Sequence, residues 1–299
     1  ILRGLIGMRK KNLAGQFLIC AFFAVLCFLI VFPFWLLASA SLSNSEVLTA
    51  KGYQMWPNPV DFSSYAYVFK NPDRILRAYG VTASFSIISM VLSVVLMSMI
   101  AYTLSRQNLR GRGIINFYLY FTMLFNGGLV PTYIIIAKTL HLNNTLLVYI
   151  LPNLINPWYV FMIRTFFRGL PGEIIESATI DGASEYRIFA QMILPLSKPV
   201  LATVALFMFL AGWNDWYTAL IYISDEKLYS LQYLLQSIME NINQLKQNQM
   251  AATMANMEDI PAETVRMAMA IVAAGPALLV FPFFQKYFVK GLTVGSVKG

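Results

Sequence analysis

Apolar residues gather into six long stretches, at about residues 17–40, 78–104, 114–137, 145–167, 200–223 and 265–288. Each is close to the roughly 20 residues that a helix needs to cross a bilayer core. The pattern predicts an all-α polytopic membrane protein, a single transmembrane domain over 1–299 with about six spanning helices. Pro152, Pro157, Pro276 and Pro282 fall inside these stretches, which spanning helices tolerate where neighbours satisfy the freed carbonyls. The first stretch follows Arg3, Arg9, Lys10 and Lys11 and ends near Ala38-Ser39-Ala40, as a cleaved secretory signal would. Its apolar run of about 22 residues exceeds the roughly 7 to 15 of a signal core, so a retained helix is expected. Two polar connections are too long for turns, at 169–199 and 224–264. In the second, Leu228, Leu231, Leu234, Leu235 and Ile238 recur at helical spacing and predict an amphipathic helix.

Composition agrees with a membrane protein. Of 299 residues 58% are hydrophobic and 12% charged, with a mean hydropathy of +0.62, and a soluble domain carries about twice that charged share. The net charge of +8 does not indicate nucleic acid, because the basic residues sit in short clusters between the apolar runs. Such clusters set topology. With the N-terminus inside, fourteen of the 22 Lys and Arg fall in inner segments. Both termini and the 169–199 connection are then cytoplasmic, and 224–264 is extracytoplasmic. Cys20 and Cys27 lie seven residues apart in one run, roughly 10 Å along a helix and beyond disulfide reach.

Residues able to do covalent chemistry are scarce. The single histidine, His141, has no partner at metal-ligand or triad spacing. No G-x-x-x-x-G-K-[ST] phosphate cradle occurs, so any ATP hydrolysis belongs to another polypeptide. In the fifth stretch, Trp213-Asn214-Asp215-Trp216-Tyr217 places a carboxylate among aromatic residues. An acid at membrane depth points to function. Aromatic faces beside Asn and Asp suit a carbohydrate path, an interfacial aromatic belt accounts for the same residues, and an ion-coupled secondary transporter would use Asp215 for coupling. Arg74 and Arg77 either attract an acidic cargo or anchor the second helix at the headgroups.

The 169–199 connection is more specific. Glu173 to Gln191 reads as two short helices meeting at Asp181-Gly182, where glycine accepts the positive φ of a tight turn. Pro195 and Pro199 stop the second helix and launch the next span. Ile175, Ala178, Ile180 and Ala183 are expected to form an exposed apolar ridge that wants a partner protein.

The order Glu176-Ser177-Ala178, then Gly182, then Met192-Ile193-Leu194-Pro195 resembles the EAA loop of ABC importer permeases. Phe125-Asn-Gly-Gly-Leu-Val-Pro-Thr-Tyr133, Trp213-Asn214-Asp215-Trp216 and the ending from Tyr287 to Gly299 are similar to the maltose-type carbohydrate uptake family, MalG-like and of the oligosaccharide branch. The resemblance implies the type I, MetI-like permease fold in a prokaryotic cell membrane. It implies a heterodimer with a second permease, two ATPase subunits and an extracytoplasmic solute-binding protein. It also implies that this chain holds no cofactor or metal, with ATP and Mg on the ATPase subunits. Glu176, Ser177, Ala178, Asp181, Gly182, Ala183 and Pro195 would couple to the ATPase, a tail through Val294, Gly295 and Ser296 would reach it, and Trp213 to Tyr217 would line the sugar path.

Overall fold

The computed structural model describes residues 13–251 and 262–295, with side chains over 15–244 and 262–285. All six apolar stretches are helical. Three are continuous: α1 (Leu13–Ser41), α4 (Pro72–Ser105) and α14 (Ala262–Gly295). The other three are interrupted. The third is α5 (Arg112–Leu124), a break, then α6 (Leu129–Tyr133) continued by a π-helical turn, Ile134–Thr139, bent by 113°. The fourth is α7 (Leu147–Ile150) and α8 (Pro157–Arg168), and the fifth is α11 (Lys198–Trp213) and α12 (Tyr217–Tyr222). By length and apolarity the described residues supply three spans, or up to five when bent pairs count as one. Short helices α2 (Ser45–Lys51), α3 (Ser63–Val68), α9 (Gly172–Ile180) and α10 (Glu185–Ile188) join them, and α13 (Leu231–Ala251) is the helix expected from the leucine spacing.

The chain divides into two compact units. In the first, residues 1–70 and 241–272, the side chains of α1 are exposed on every face, Phe17, Phe22, Phe28 and Ile30 among them. A helix apolar all round has lipid for its solvent. The serines at its end bind the following loop. Ser39 Oγ donates to the Gln54 carbonyl at 2.7 Å, and Ser41 Oγ lies 2.9 Å from the Tyr65 hydroxyl. Ser64 Oγ donates to Thr264 Oγ1 at 2.7 Å.

The second unit, residues 71–240 and 273–299, is built on α4, which packs against α8 and α11. Met97, Ala101, Val160, Ile163 and Val204 form one core. Phe85, stacked on Tyr149 at 4.2 Å, joins Ile136, Val148 and Ala219 in a second. Ser86, Ser89 and Ser93 are buried along α4, and small residues let membrane helices approach closely. The approach is tightest at Gly212 of α11. A Cβ there would stand 2.9 Å from Ser86 Oγ and 3.1 Å from Ser86 Cα. Gly212→Ala is therefore expected to push α11 off α4, costing about 1–3 kcal/mol, read as a lower thermal midpoint of the purified protein. Arg74 of α4 is paired with Glu226 at 2.9 Å, so its charge is already engaged within the chain.

Candidate functional site

Residues 169–199 fold as the expected helix-turn-helix. Helix α9 ends in a closed C-terminal motif. The Ala183 amide donates to the Ala178 carbonyl at 2.9 Å and the Gly182 amide to that of Thr179 at 3.1 Å, with Gly182 at φ +75°. This pair of bonds is the Schellman arrangement, which requires a left-handed residue where Gly182 stands. Ser184 then accepts a 3.4 Å hydrogen bond from the Arg187 amide and starts α10. A π-helical turn, Phe189–Ile193, and a last turn, Leu194–Leu196, which contains Pro195, extend it. The chain bends by 80° before α11.

The exposed ridge does not form. Ala178 is 2% exposed, in one core with Ile188 and Ile193, and Ile175 and Ala183 pack partly buried against that core. Of the four ridge residues Ile180 alone is fully outside, at 86% exposure. The reason is helical geometry. Positions 175 and 178 are three apart and share a face, whereas 180 lies two further on and points away. The outward surface is instead Glu173, Glu176, Ser177, Ile180, Asp181 and Tyr186.

Glu185 fastens this loop to α4. The Tyr102 hydroxyl donates to Glu185 Oε2, and Arg106 Nη2 approaches Oε1 at 2.7 Å. The Arg106 guanidinium also lies 5.5 Å from the Tyr102 ring. An exposed ion pair by itself stabilises little, but a hydroxyl and a guanidinium meeting on one carboxylate fix the angle of α10. Sequence reasoning missed this contact, since about 80 residues separate the partners and no spacing rule joins them.

The residues at 213–217 separate into two roles. Trp213 is 3% exposed. Its indole N–H donates to the Ala273 carbonyl at 2.9 Å, and its ring lies against Phe209 and Tyr79, so it packs inside the chain and is not among the residues lining the cavity beside it. The helix then breaks at 214–216. Asn214 Nδ2 donates to the Leu210 carbonyl at 2.8 Å, and Asp215 Oδ1 accepts from the Thr218 amide at 3.0 Å, capping α12. Asn214, Asp215, Trp216 and Tyr217 line a cavity of about 370 Å³ together with Ser89, Tyr149, Asn153 and Thr218. Its polar groups are amides, hydroxyls and one carboxylate. Ser89, which sequence reasoning did not single out, presents a buried Oγ without a partner among the described residues. Among the described residues no group of His, Cys, Asp and Glu could hold a metal.

Helix α14 runs to Gly295, so the backbones of Val294 and Gly295, two of the expected tail residues, are helical. Ser296 lies outside the described residues, as do Arg3, Arg9, Lys10 and Lys11.

Residues 75–294 match the family of binding-protein-dependent transport system inner membrane components. The chain belongs to this family. It is 36% identical to the polygalacturonan/rhamnogalacturonan transport system permease protein YtcP of Bacillus subtilis, over 97% of this chain and 100% of that protein. It is 30% identical to the arabinooligosaccharides transport system permease protein AraQ of Halalkalibacterium halodurans, over 97% and 99%. Its fold matches, with a TM-score of 0.77 at 24% identity over 93% of this chain and 98% of the other, a crystal structure of a bacterial ABC transporter involved in the import of the acidic polysaccharide alginate. The chain is thus a multi-pass permease subunit of an ABC importer, a transport component and not an enzyme. Membership implies a partner permease, ATPase subunits and a solute-binding protein. The reading of Asp215 as an ion-coupling residue in a secondary transporter finds no support in this family.

Proposed function

We propose that this permease moves an oligosaccharide into the cell as one half of a heterodimer, driven by ATP hydrolysis on two separate ATPase subunits that hold ATP and Mg. The cargo is delivered by an extracytoplasmic solute-binding protein. Both termini and the 169–199 loop face the cytoplasm, and 224–264 faces outward. The observation that carries this reading is the Schellman-closed knob of α9 and α10. It is rigid, fastened to α4 through Glu185, and offers Glu176, Ser177, Ile180 and Asp181 outward. Seated on an ATPase, such a knob passes closure of that subunit into α4 and, across the bend at Ser197, into α11. Gly182 and Pro195 set its angles, while Ala178 and Ala183 hold it to the core. The tail through Val294, Gly295 and Ser296 serves as a second contact with the ATPase subunits.

The cavity beside the helix break is the sugar path. Trp216 is 38% and Tyr217 46% exposed, which leaves aromatic surface for sugar rings, while Asn214, Asp215 and Asn153 take hydroxyl hydrogen bonds. The relatives' cargoes support carbohydrate. The test is uptake of labelled oligosaccharides, galacturonan- and arabinan-derived, into vesicles holding the assembled transporter and its binding protein. Uptake of one of them that requires enclosed ATP and Mg is expected. Uptake by the lone chain along a proton or sodium gradient would overturn the proposal.

A further inference from the structure

Three arginines gather where α5 begins and α8 ends. Arg112 is the first residue of α5, Arg168 the last of α8, and Arg164 lies one turn inside α8. The charges of Arg168 and Arg112 both act on Arg164. Arg164 Nη1 donates to Asn116 Oδ1 at 3.0 Å, its guanidinium lies 5.9 Å from the Phe161 ring, and its Nε is buried with no partner among the described residues. Arg112 reaches the Arg106 carbonyl at 3.4 Å. Among the described residues none of the three has a carboxylate partner, since the ion pairs there use Arg74, Arg106 and Arg266.

Three like charges held together without a counter-ion repel one another, and a partly shielded guanidinium with an unused N–H is costly. An anion is the missing component. The surroundings say which kind. Ile114, Phe117 and Phe121, within three turns of Arg112, are 76%, 69% and 45% exposed, so the arginines lie next to a wall of apolar side chains at the end of two spanning helices. A soluble anion gains nothing from that wall, whereas acyl chains do. Basic pockets between helices at the cytoplasmic boundary suit lipid phosphates, which planar guanidinium groups bind bidentately.

We propose that Arg112, Arg164 and Arg168 form a binding site for the phosphodiester headgroup of an anionic phospholipid of the cytoplasmic leaflet, with its acyl chains along α5. Each arginine near such a surface changes affinity about fivefold, so Arg112→Gln with Arg168→Gln is expected to weaken binding by about 30-fold. Both side chains reach solvent and neither holds the Arg164–Asn116 bond, so this pair should fold. Arg164→Gln is the independent second variant.

The experiment uses the intact transporter, delipidated in detergent and titrated with phosphatidylglycerol, phosphatidylcholine or inorganic phosphate, with bound species read by native mass spectrometry. Phosphatidylglycerol should bind and survive excess inorganic phosphate. The double variant should lose that binding by the stated factor, Arg112→Lys with Arg168→Lys should keep most of it, and phosphatidylcholine should bind all forms weakly and alike. Equal phosphatidylglycerol affinity in wild type and both glutamine variants would overturn the proposal. So would displacement by inorganic phosphate, which marks a soluble-anion site, or loss of a protein subunit with lipid binding unchanged, which marks a protein contact.

Discussion

Ala178→Glu is expected to abolish transport and to release the ATPase subunits, although Ala178 is buried within this chain. The side chain is 2% exposed in a core with Ile188 and Ile193, and its carbonyl anchors the turn at Gly182. A carboxylate there would be buried among apolar side chains, and an unpaired buried charge costs several kcal/mol. The loop should therefore unfold locally while the spanning helices remain. Limited proteolysis is the measurement, with rapid cleavage within 169–199 expected in the variant. Gly182→Val should act in the same direction more weakly, by about 1–2 kcal/mol, because a β-branched residue must adopt a left-handed φ. Resistance of the Ala178→Glu loop to cleavage would mean that the face carrying this residue is not packed inward.

Asp215→Asn is expected to lower sugar uptake by roughly tenfold or more, the size of one lost hydrogen bond to a charged group, while assembly and basal ATP hydrolysis stay near wild type. The substitution keeps an Oδ1 that can accept from the Thr218 amide, so α12 keeps its cap. It removes only the charge facing the cavity. Trp213→Ala should behave differently from its neighbours. It empties a buried indole site beside Phe209 and Tyr79 and removes the hydrogen bond to the Ala273 carbonyl, a loss of about 3–5 kcal/mol. Reduced protein yield is therefore the expected result there, not selective loss of uptake. Uptake unchanged in Asp215→Asn would remove the cavity from the sugar path.

Apolar runs located the helices of the six long stretches, though not the short α2 and α3, because desolvation acts on composition, and composition is legible. Breaks are less legible where no glycine or proline marks them. Asn126-Gly127-Gly128 announces the interruption after α5, but 214–216 has neither glycine nor proline. That break rests on Asp215 capping α12 and on Ser230 Oγ donating to the Asp215 carbonyl at 2.7 Å, a contact from 15 residues away. In the 169–199 loop Gly182 disclosed the turn, since its backbone need is local. The inward face of α9 was less legible, because nine residues hold too few apolar positions for a period to choose between Ala178 and Ile180. Glu185, Tyr102 and Arg106 form their contact only once α4 and α10 are packed together. The cavity-lining Ser89 belongs to the same class, hidden in a row of small residues on a long helix.

The central claim is that the outward face of α9 and α10 seats on an ATPase subunit, and Ile180→Glu tests it most directly. Ile180 is 86% exposed and belongs to no core, so the variant should fold, insert and resist proteolysis like wild type. Its partner surface would have to bury a charge. Copurification of the ATPase subunits with the tagged permease, measured together with uptake, should be lost or strongly reduced in Ile180→Glu and unaffected in Tyr53→Glu, exposed in the loop after α2 and outside the spanning helices. Normal ATPase recovery and normal uptake in Ile180→Glu would contradict the account.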